Sequence, residues 1–481
     1  MGFFNKDYEE SEQIDELQEE LQEKIEEEFH EEVELTEDEE LSEKEQKEQA
    51  EEKRELRRQR RKRNEMLVTL TAALAVVMVC GTVFAGVSAI RKFVGEKESD
   101  TFESTENIQD MVQDILASET ALPTEVVDVV TPEEQLDEYI DTVIAGMTLE
   151  EKVAGLIITT PEGLTGVARA TRAGDGTKTA IEAMPVGGLV YYRQNMESAE
   201  QFDEMLTNTM SYSKYPLFLA VNEGGDTNSS VQNSVLTVPD VKEPGEVRTG
   251  EEAYDLGTVI GDYLADLHFN VNFAPTADIL YTEGAAVSDY CFGGDAVMNA
   301  EFVAEYVRGL EEQGISATLK TFPGTGYLTS STTSSTVSTD RTRDEFNADF
   351  QVFKAGIDAG ADFVMVSNIV ASELSGGMEP CSMSSSVVTN ILRSELGFAG
   401  VIITEPMNGK AITDYYSASE AAVSALKAGC DMILLPESLN EAYQGILEGI
   451  ANGSVAEARI NDSLKRVMRV KYAYKLDEFT N

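Results

Sequence analysis

Ionisable, amide and aromatic side chains stand near the carboxyl ends of several short apolar runs of the chain. Glu223, Lys320 and Glu405 each lie at such an end, as do Asn368 and Tyr191. Carboxylates, amides and ammonium groups can bind sugar hydroxyls, while aromatic rings stack on the apolar face of a sugar. Taken singly, Lys320 could pair with a neighbouring acid and Glu405 could be a solvated loop carboxylate. The prediction of a site for a hydroxyl-rich ligand therefore rests on their convergence.

The composition of the 481-residue chain excludes several other kinds of site. Its 37 basic and 88 acidic residues give a formal net charge of −51, which disfavours binding to the phosphates of a nucleic acid. Its 2 histidines, His30 and His268, are too few for a zinc site built from several imidazoles. The sequence contains neither a glycine-rich phosphate loop nor a cluster of metal-ligating residues. We therefore expect no metal and no cofactor.

Eight short apolar runs alternate with amphipathic helical stretches from about residue 136 onward. Most runs are apolar on both faces, as expected for parallel strands that helices cover on both sides. The alternation predicts a (β/α)8 TIM barrel over residues 136–481, whose strands present their carboxyl ends at one rim, and an open doubly wound sheet is the alternative. The runs are residues 153–160, 186–193, 216–223, 270–278, 315–322, 361–368, 399–405 and 430–436.

The N-terminal part of the sequence predicts a membrane anchor. Residues 1–65 form an acidic segment, expected to be helical or disordered, in which residues 1–52 contain 24 acidic and 4 basic side chains. Residues 53–63 then contain 8 bases, and residues 66–90 contain no charged side chain. The uncharged run is long enough to cross a bilayer as one helix. A cleaved signal peptide and a buried core helix are the alternatives, and the length of the run disfavours the former.

The bases that precede the span predict its orientation. Positive side chains stay on the cytoplasmic side, so residues 1–65 are expected in the cytoplasm and everything after residue 90 outside, with residues 91–135 as a linker. The acidic segment could contact a cytoplasmic protein, and a solvated charged helix without a partner is the alternative. Outside the cell, Cys291 and Cys381 could pair, and two free thiols are equally compatible with the sequence.

Several longer strings, in an unbroken order, carry a resemblance to a known family. The region from about 136 to 475 resembles the N-terminal barrel domain of glycoside hydrolase family 3, in its β-N-acetylhexosaminidase branch. The resemblance implies a (β/α)8 barrel that acts on glycans containing N-acetylglucosamine. The strings are VNEGG (221–225), VNFAPTADIL (271–280), DYCFGGD (289–295), ISATLKTFPGTG (315–326), SELGFAGVIITEPMNGKAI (394–412) and RINDSLKRVMRVK (459–471).

The resemblance implies a retaining glycosidase, which needs a carboxylate nucleophile and a proton donor. The family has an aspartate nucleophile after the seventh strand, where this chain has Glu405. The family's Lys-His pair corresponds to Lys320 and Thr321. Its acid-bearing loop corresponds to residues 328–338, LTSSTTSSTVS, which contain no carboxylate and no imidazole. The resemblance therefore implies a degenerate catalytic site.

Other family positions also carry different side chains in this chain. The family's second histidine corresponds to Thr325, its arginine before the Phe-Gly turn to Tyr290, and its histidine after the sixth strand to Asn368. Its sugar-binding aspartate aligns with Val221 or Asn222. The residues expected to contact a sugar are Glu223, Lys320, Asn368, Tyr290 and Tyr191.

Two functions of different classes remain. The first is a membrane-anchored pseudoenzyme whose barrel binds cell-wall glycan or a partner protein. The second is an active β-N-acetylhexosaminidase with Glu405 as nucleophile and Glu223 or Asp278 as acid. Different glycosidase chemistry on the same barrel is a third hypothesis, because fold alone does not fix function. The sequence favours the first, since nucleophile and proton donor have changed together.

Overall fold

The computed structural model describes residues 130–480 of the chain. The acidic segment 1–65, the predicted membrane span 66–90 and the linker as far as residue 129 lie outside the described residues. Within the part described, no helix combines the length and the apolar character needed to cross a membrane.

Parallel strands form a closed barrel. Eight strands pair in the order β10-β1-β2-β3-β4-β5-β7-β9, while β6 and β8 pair separately. A bridge between Ile403 and Met432 joins β9 to the residues just before β10 and closes the ring. Each predicted apolar run supplies one barrel strand, so the (β/α)8 barrel is confirmed and the open sheet is wrong. The strands are β1 (Ile157–Thr159), β2 (Gly188–Val190), β3 (Phe218–Val221), β4 (Val271–Asn272), β5 (Ser316–Phe322), β6 (Ser338–Thr339), β7 (Phe363–Val366), β8 (Val370–Ala371), β9 (Val401–Thr404) and β10 (Ile433–Leu434).

Helices follow the strands, and hydrogen-bonding side chains fix where many of them begin. Capping boxes pair Thr148 with Glu151 and Ser417 with Glu420, which satisfies N–H groups that have no partner inside the helix. The helices are α1 (Pro132–Ala145), α2 (Leu149–Ala154), α3 (Pro161–Thr165), α4 (Asp175–Ala183), α5 (Ala199–Tyr212), α6 (Gly250–Asp266), α7 (Ala296–Glu311), α8 (Asn347–Asp358), α9 (Ser372–Ser375), α10 (Lys410–Thr413), α11 (Ala418–Ala428), α12 (Leu439–Ala451), α13 (Glu457–Lys471) and α14 (Lys475–Thr480), with 3-10 turns at Arg193–Asn195, Pro244–Glu246, Arg343–Phe346 and Cys381–Met383 and a π-helix at Ser386–Glu395.

Side chains fill the barrel at the amino ends of its strands. Phe218 of β3 meets Phe363 of β7 edge to face, with ring centroids 5.2 Å apart. Because β3 and β7 are not neighbours in the sheet, this contact crosses the barrel interior. Lys471, the last residue of α13, places its ammonium 4.8 Å from the centre of the Phe218 ring. This end is therefore packed, and a ligand cavity has to form at the opposite end.

Main-chain hydrogen bonds hold the Ser/Thr-rich loop, residues 328–338, between β5 and β6. The loop runs into β6, which pairs with β8 just after barrel strand β7. The same loop also contacts the segment that follows β9. The fold thereby joins the loops after three different strands at the carboxyl-end rim. The bonds run from the N–H of Lys410 to the oxygen of Thr333 (3.1 Å), from Ala411 to Thr332 (3.1 Å) and from Val370 to Val337 (2.9 Å).

Candidate active site

A cavity of about 620 Å³ opens at the carboxyl ends of the barrel strands. This is the rim at which (β/α)8 barrels place their catalytic groups. Loops after several strands contribute to its wall, including the Ser/Thr-rich loop. Its ionisable lining residues are Tyr192, Arg193, Asp226, Tyr290, Lys320 and Glu405.

Glu405 lies directly after β9, and three donors fix its carboxylate. Thr332 donates its hydroxyl to Oε1 at 2.7 Å, and the backbone N–H of Asn368 donates to Oε2 at 2.7 Å. The Ser367 hydroxyl donates to Oε2 at 3.3 Å. Burial raises the pKa of Glu405, and these three donors oppose that rise because they favour the ionised form. The geometry therefore presents an oriented carboxylate to the cavity.

Lys320, on β5, places an ammonium group in the same cavity. Its Nζ donates to the side-chain oxygen of Asn222, the residue that follows β3. Burial lowers the pKa of Lys320, while the negative charges of Asp226, Asp278 and Glu405 oppose this effect. Lys320 and Glu405 thus share one rim, as the strand-end pattern predicts.

Asp278 lies beneath the cavity and holds the turn that follows β5. Its carboxylate accepts the hydroxyl and N–H groups of Thr321, both at 3.0 Å, and the hydroxyl of Thr325, also at 3.0 Å. The N–H of Thr325 donates to it as well. The side chain is fully buried and absent from the cavity wall. Asp278 therefore positions the backbone beside Lys320 and has no contact with the space where a substrate would bind.

Asp226 lines the cavity from a tight turn after β3. The N–H groups of Gly224, Gly225 and Asp226 all donate to Oγ of Ser229, at 3.1, 2.9 and 3.0 Å. The carboxyl group accepts the N–H of Asn228 at 2.7 Å. A Cβ atom on Gly224 would lie 2.3 Å from Oδ2 of Asp226, so the turn needs glycine there to seat this carboxyl. Burial raises the pKa of Asp226.

Tyr191 does not reach the cavity, contrary to its prediction as a sugar contact. Its ring is completely buried and packs edge to face against Phe202 and Phe269, at centroid distances of 5.7 and 6.2 Å. The next residue, Tyr192, lines the cavity instead, because successive residues of an extended chain point to opposite sides. Burial raises the pKa of Tyr192 to about 12, so its phenol stays protonated at neutral pH.

Glu223 also differs from its prediction as a sugar contact, because its carboxylate faces the protein interior. It accepts the backbone N–H groups of Val231 and Gln232 at 2.7 and 3.2 Å, and the hydroxyl of Tyr263 at 2.8 Å. The residue is completely buried and does not line the cavity. Glu223 therefore stabilises the loop after β3 and cannot contact a sugar in this arrangement.

Asn368 differs from its prediction as a sugar contact as well, because its side chain is buried behind the cavity wall. Its amide donates to the carbonyl of Pro406 at 2.9 Å and accepts the hydroxyl of Ser382 at 2.6 Å. Only 1% of the residue is exposed, and it is absent from the cavity wall. Its contribution to the site is the backbone N–H that holds Glu405.

Tyr290 lines the cavity, and its hydroxyl donates to the carbonyl of Ala286. Asp226 and Thr332 line it without having been predicted. The signal for Asp226 was a carboxylate directly after two glycines, where the backbone turns sharply. Thr332 had no such signal, because it is one hydroxyl among many in the loop.

The cysteines and acidic groups of residues 130–480 form neither a disulfide nor a cluster that could hold a metal ion. Cys291, Cys381 and Cys430 are buried free thiols, so Cys291 and Cys381 do not form a disulfide. No group of three or more His, Cys, Asp or Glu side chains that could hold a metal ion occurs in this part of the chain.

A closed parallel barrel with carboxylates at its carboxyl-end rim defines a class of enzymes that work at that rim. Within this class, the model of the glycosyl hydrolase family 3 N-terminal domain matches residues 148–470. The chain therefore belongs to glycosyl hydrolase family 3.

Relatives whose names give an activity match about half of the chain. A β-hexosaminidase of Stenotrophomonas maltophilia (strain K279a) is 30% identical over 277 residues, which cover 54% of this chain and 80% of that protein. A β-N-acetylglucosaminidase/β-glucosidase of Cellulomonas fimi is 27% identical over 292 residues, covering 57% and 51%.

Solved structures of the family also superpose on the barrel. The family 3 β-N-acetylglucosaminidase from Paenibacillus sp. str. FPU-7 gives a TM-score of 0.64 at 28% identity over 69% of this chain, which thus spans 64% of that longer one. The β-N-acetylhexosaminidase from Beutenbergia cavernae DSM 12333 gives 0.61 at 26% identity, covering 68% of this chain and 99% of that one.

Proposed function

We propose that the barrel binds cell-wall glycans that contain N-acetylglucosamine and that it hydrolyses them slowly or not at all. The proposed sugar is inferred from the names of the relatives, which are β-hexosaminidases and β-N-acetylglucosaminidases. The cavity of about 620 Å³ is of ligand size and combines tyrosine rings with carboxyl, ammonium and hydroxyl groups. Such a wall suits a sugar, which offers both hydroxyls and an apolar face.

The contact between Thr332 and Glu405 carries the proposal of slow turnover. The loop that bears the acid in the family supplies a threonine hydroxyl here, and that hydroxyl is already donated to Glu405 at 2.7 Å. An aliphatic hydroxyl is too weak an acid to protonate a leaving sugar oxygen. Where no other group replaces it, loss of a positioned acid typically lowers the rate by about 10²–10⁴-fold.

The test measures binding and hydrolysis separately on the full-length chain in detergent. We expect weak chitobiose affinity by calorimetry in the wild type and in Glu405→Gln. Hydrolysis of a chromogenic N-acetylglucosaminide should fall far below ordinary enzyme rates of roughly 1–10³ s⁻¹. Glu405→Asp should not restore it. Ordinary turnover that Glu405→Gln abolishes would contradict impairment, and an absence of sugar binding would contradict the glycan assignment.

We also propose that the barrel is anchored outside the cell by a single-pass span at residues 66–90. The proposal rests on the uncharged run and on the 8 bases of residues 53–63 before it. The acidic segment 1–65 would then lie in the cytoplasm, where a protein partner could bind it. A barrel held at the cell membrane would meet wall glycan directly.

A second candidate function, an active β-N-acetylhexosaminidase, is favoured by one observation. Glu405 and Asp226 both line the cavity, so two acidic residues are available there, and a retaining mechanism uses two carboxyl groups. In this alternative Glu405 is the nucleophile. The acid would not be Glu223 or Asp278, because neither lines the cavity.

A further inference from the structure

Among residues 130–480, Asp226 and Glu405 are the two acidic residues that line the cavity, and their carboxyl groups differ in their surroundings. Glu405 accepts three hydrogen bonds, from two hydroxyls and one backbone N–H. Among residues 130–480, no side chain donates a hydrogen bond to the Asp226 carboxyl, which accepts the N–H of Asn228. Hydrogen bonds to a carboxylate favour its ionised form. Two side chains thus donate to the Glu405 carboxylate, whereas no described side chain donates to the carboxyl group of Asp226.

Two other buried carboxyl groups near this rim, those of Asp278 and Glu223, do not line the cavity. Asp278 and Glu223 each accept at least three hydrogen bonds from the protein and are completely buried. Asp226 is nearly buried, with 6% of its surface exposed, yet it lines the cavity. Burial raises the pKa of Asp226, so the acid form persists to higher pH than for a solvated aspartate.

Lys320 lies close enough to both groups to influence each. Its positive charge counteracts the effect of burial on Asp226, and the charges of Asp226 and Glu405 in turn favour protonated Lys320. An ammonium at this position stabilises the carboxylate that remains when Asp226 has released its proton. The cavity therefore holds an acid, an oriented carboxylate and a cation that stabilises the product of proton transfer.

We infer that Asp226 is the proton donor in whatever hydrolysis the barrel carries out, an inference that rests on the proposed binding of N-acetylglucosaminides. In the first step an oxygen of Glu405 bonds to the anomeric carbon, the glycosidic C–O bond breaks, and Asp226 gives its proton to the leaving oxygen. In the second step water attacks the anomeric carbon, the bond to Glu405 breaks, and the Asp226 carboxylate takes the proton of the water.

The experiment compares two substrates that differ in their need for a proton. The leaving sugar of chitobiose must be protonated, whereas 2,4-dinitrophenolate leaves without a proton. With the full-length chain in detergent, Asp226→Asn should lower kcat/KM for chitobiose by about 10²–10⁴-fold. It should leave kcat/KM for 2,4-dinitrophenyl N-acetylglucosaminide within about tenfold of the wild type, since a proton donor contributes little there. Asp255→Asn, an exposed acid-to-amide change on α6 and outside the cavity wall, is the matched control.

Each result has a distinct meaning. Equal losses on both substrates would overturn the role of Asp226 as acid, because a merely structural change slows both. A wild type without turnover on either substrate would also overturn it, while leaving glycan binding to be judged by calorimetry. If chitobiose does not bind to the wild type or to Asp226→Asn, the proposed function fails instead. Loss of the slow chitobiose reaction alone, with binding retained, supports Asp226.

Discussion

At the scale of single residues, the length of the Glu405 side chain brings its carboxylate to its three hydrogen-bond donors. A glutamate places its oxygens about 1.5 Å further from the backbone than an aspartate, the length of one carbon–carbon bond. In this site the oxygens meet Thr332, Ser367 and the N–H of Asn368 at that greater distance. A shorter side chain would leave these donors without their acceptor. The surroundings therefore fit glutamate, whatever rate the site supports.

Replacing Thr332 by valine should raise the pKa of Glu405. The substitution keeps the shape of the side chain and removes the hydroxyl that donates to Oε1 at 2.7 Å, so the ionised form loses stabilisation. The acid limb of the pH profile of kcat/KM for 2,4-dinitrophenyl N-acetylglucosaminide should move to higher pH, since this limb reports a group that must be ionised.

The matched control for this change is Thr333→Val. Thr333 is the next residue of the loop and is exposed, and its backbone oxygen rather than its hydroxyl bonds Lys410. Its pH profile should coincide with that of the wild type. A Thr332→Val profile that also coincides would show that the hydroxyl does not tune Glu405.

The sequence predicted which residues lie at the rim of the barrel, because that depends on their position along a strand. It did not predict which of their side chains face the cavity, because that depends on the direction in which each one points. Lys320 and Glu405 follow from their places at strand ends, and both line the cavity. Tyr191 and Tyr192 are adjacent and point to opposite sides of the strand. An error of one residue in the predicted strand end therefore places the wrong tyrosine in the cavity. Asn368 also lies at a strand end, but its side-chain amide hydrogen-bonds to Pro406 and Ser382. A local sequence pattern cannot predict these bonds, because both partners are distant in sequence.

At the scale of elements, the turn after β3 determines where Asp226 lies. Ser229 accepts three consecutive N–H groups, which curls the backbone around its hydroxyl. Gly225 has φ +77°, a conformation that other residues rarely adopt. Gly224 leaves the space that Oδ2 of Asp226 occupies. Three small residues thus orient one carboxyl.

Gly224→Ala should displace Asp226 while the barrel stays folded. The new methyl group would meet Oδ2 at 2.3 Å, and the obstructed atom is the end of a side chain, which can rotate away. We expect chitobiose kcat/KM to fall more than that of 2,4-dinitrophenyl N-acetylglucosaminide, with Tm shifted by a few degrees at most, as for a change of about 1 kcal/mol.

Gly245→Ala provides the comparison, because a Cβ atom there would lie 4.0 Å from its nearest neighbour. It should resemble the wild type on both substrates. An equal effect of Gly224→Ala on both substrates would mean that the turn is needed for binding in general rather than for the placement of Asp226.

The barrel strands were predictable because helices cover them outside and side chains pack inside, which demands unbroken apolar runs. The pair β6 and β8 was not predictable. Each is two residues long, and β6 stands in a polar loop where no hydrophobic alternation exists. Ser338 pairs with Val370 because of the path that the loop after β5 takes across the rim. That path is determined by the closed barrel and not by the local sequence.

At the scale of the whole molecule, Lys471 is a buried cation that costs stability at neutral pH. Its ammonium donates to the oxygen of Gly187 at 2.7 Å, and no described carboxylate forms an ion pair with it. Burial lowers the pKa of Lys471 from 10.5 to about 7. Between these values the unfolded chain binds a proton that the folded chain does not. The free energy of unfolding therefore rises with pH across this window and is flat below it.

Lys471→Met should stabilise the barrel at about pH 7 and lose that advantage as the pH rises. The gain should shrink by up to about 1.4 kcal/mol per pH unit. The oxygen of Gly187 keeps a partner, since it also accepts the N–H of Phe218 at 3.1 Å. Chemical denaturation of both proteins at about pH 7 and at about pH 9 gives the difference.

Lys427→Met, at an exposed helix position, is the control and should show a difference that does not vary with pH. If Lys471→Met destabilises the protein equally at both pH values, Lys471 acts through packing over Phe218 and not through its charge.

The proposed topology predicts which part of the molecule a protease can reach. Residues 91–481 should lie outside, because 8 bases precede the uncharged run of residues 66–90. Protease added to intact protoplasts should remove the barrel and spare an N-terminal fragment, as followed with tags at the two ends. A barrel that is digested only after lysis would contradict the orientation.

Backbone bonds hold the Ser/Thr-rich loop at residues 332–333 and at its last residue, Ser338, and this has a consequence for evolution and engineering. Its anchors are the pairing of Ser338 with Val370 and the bonds from Lys410 and Ala411, none of which uses a loop side chain. The exposed residues between the anchors, Ser334 and Thr336, can therefore change without weakening the barrel, whereas Val337 belongs to the core. Ser330, Ser331 and Thr332 line the cavity, and Thr332 contacts Glu405, so a substitution at one of these three positions could introduce an acid at the site while the backbone bonds hold the loop in place.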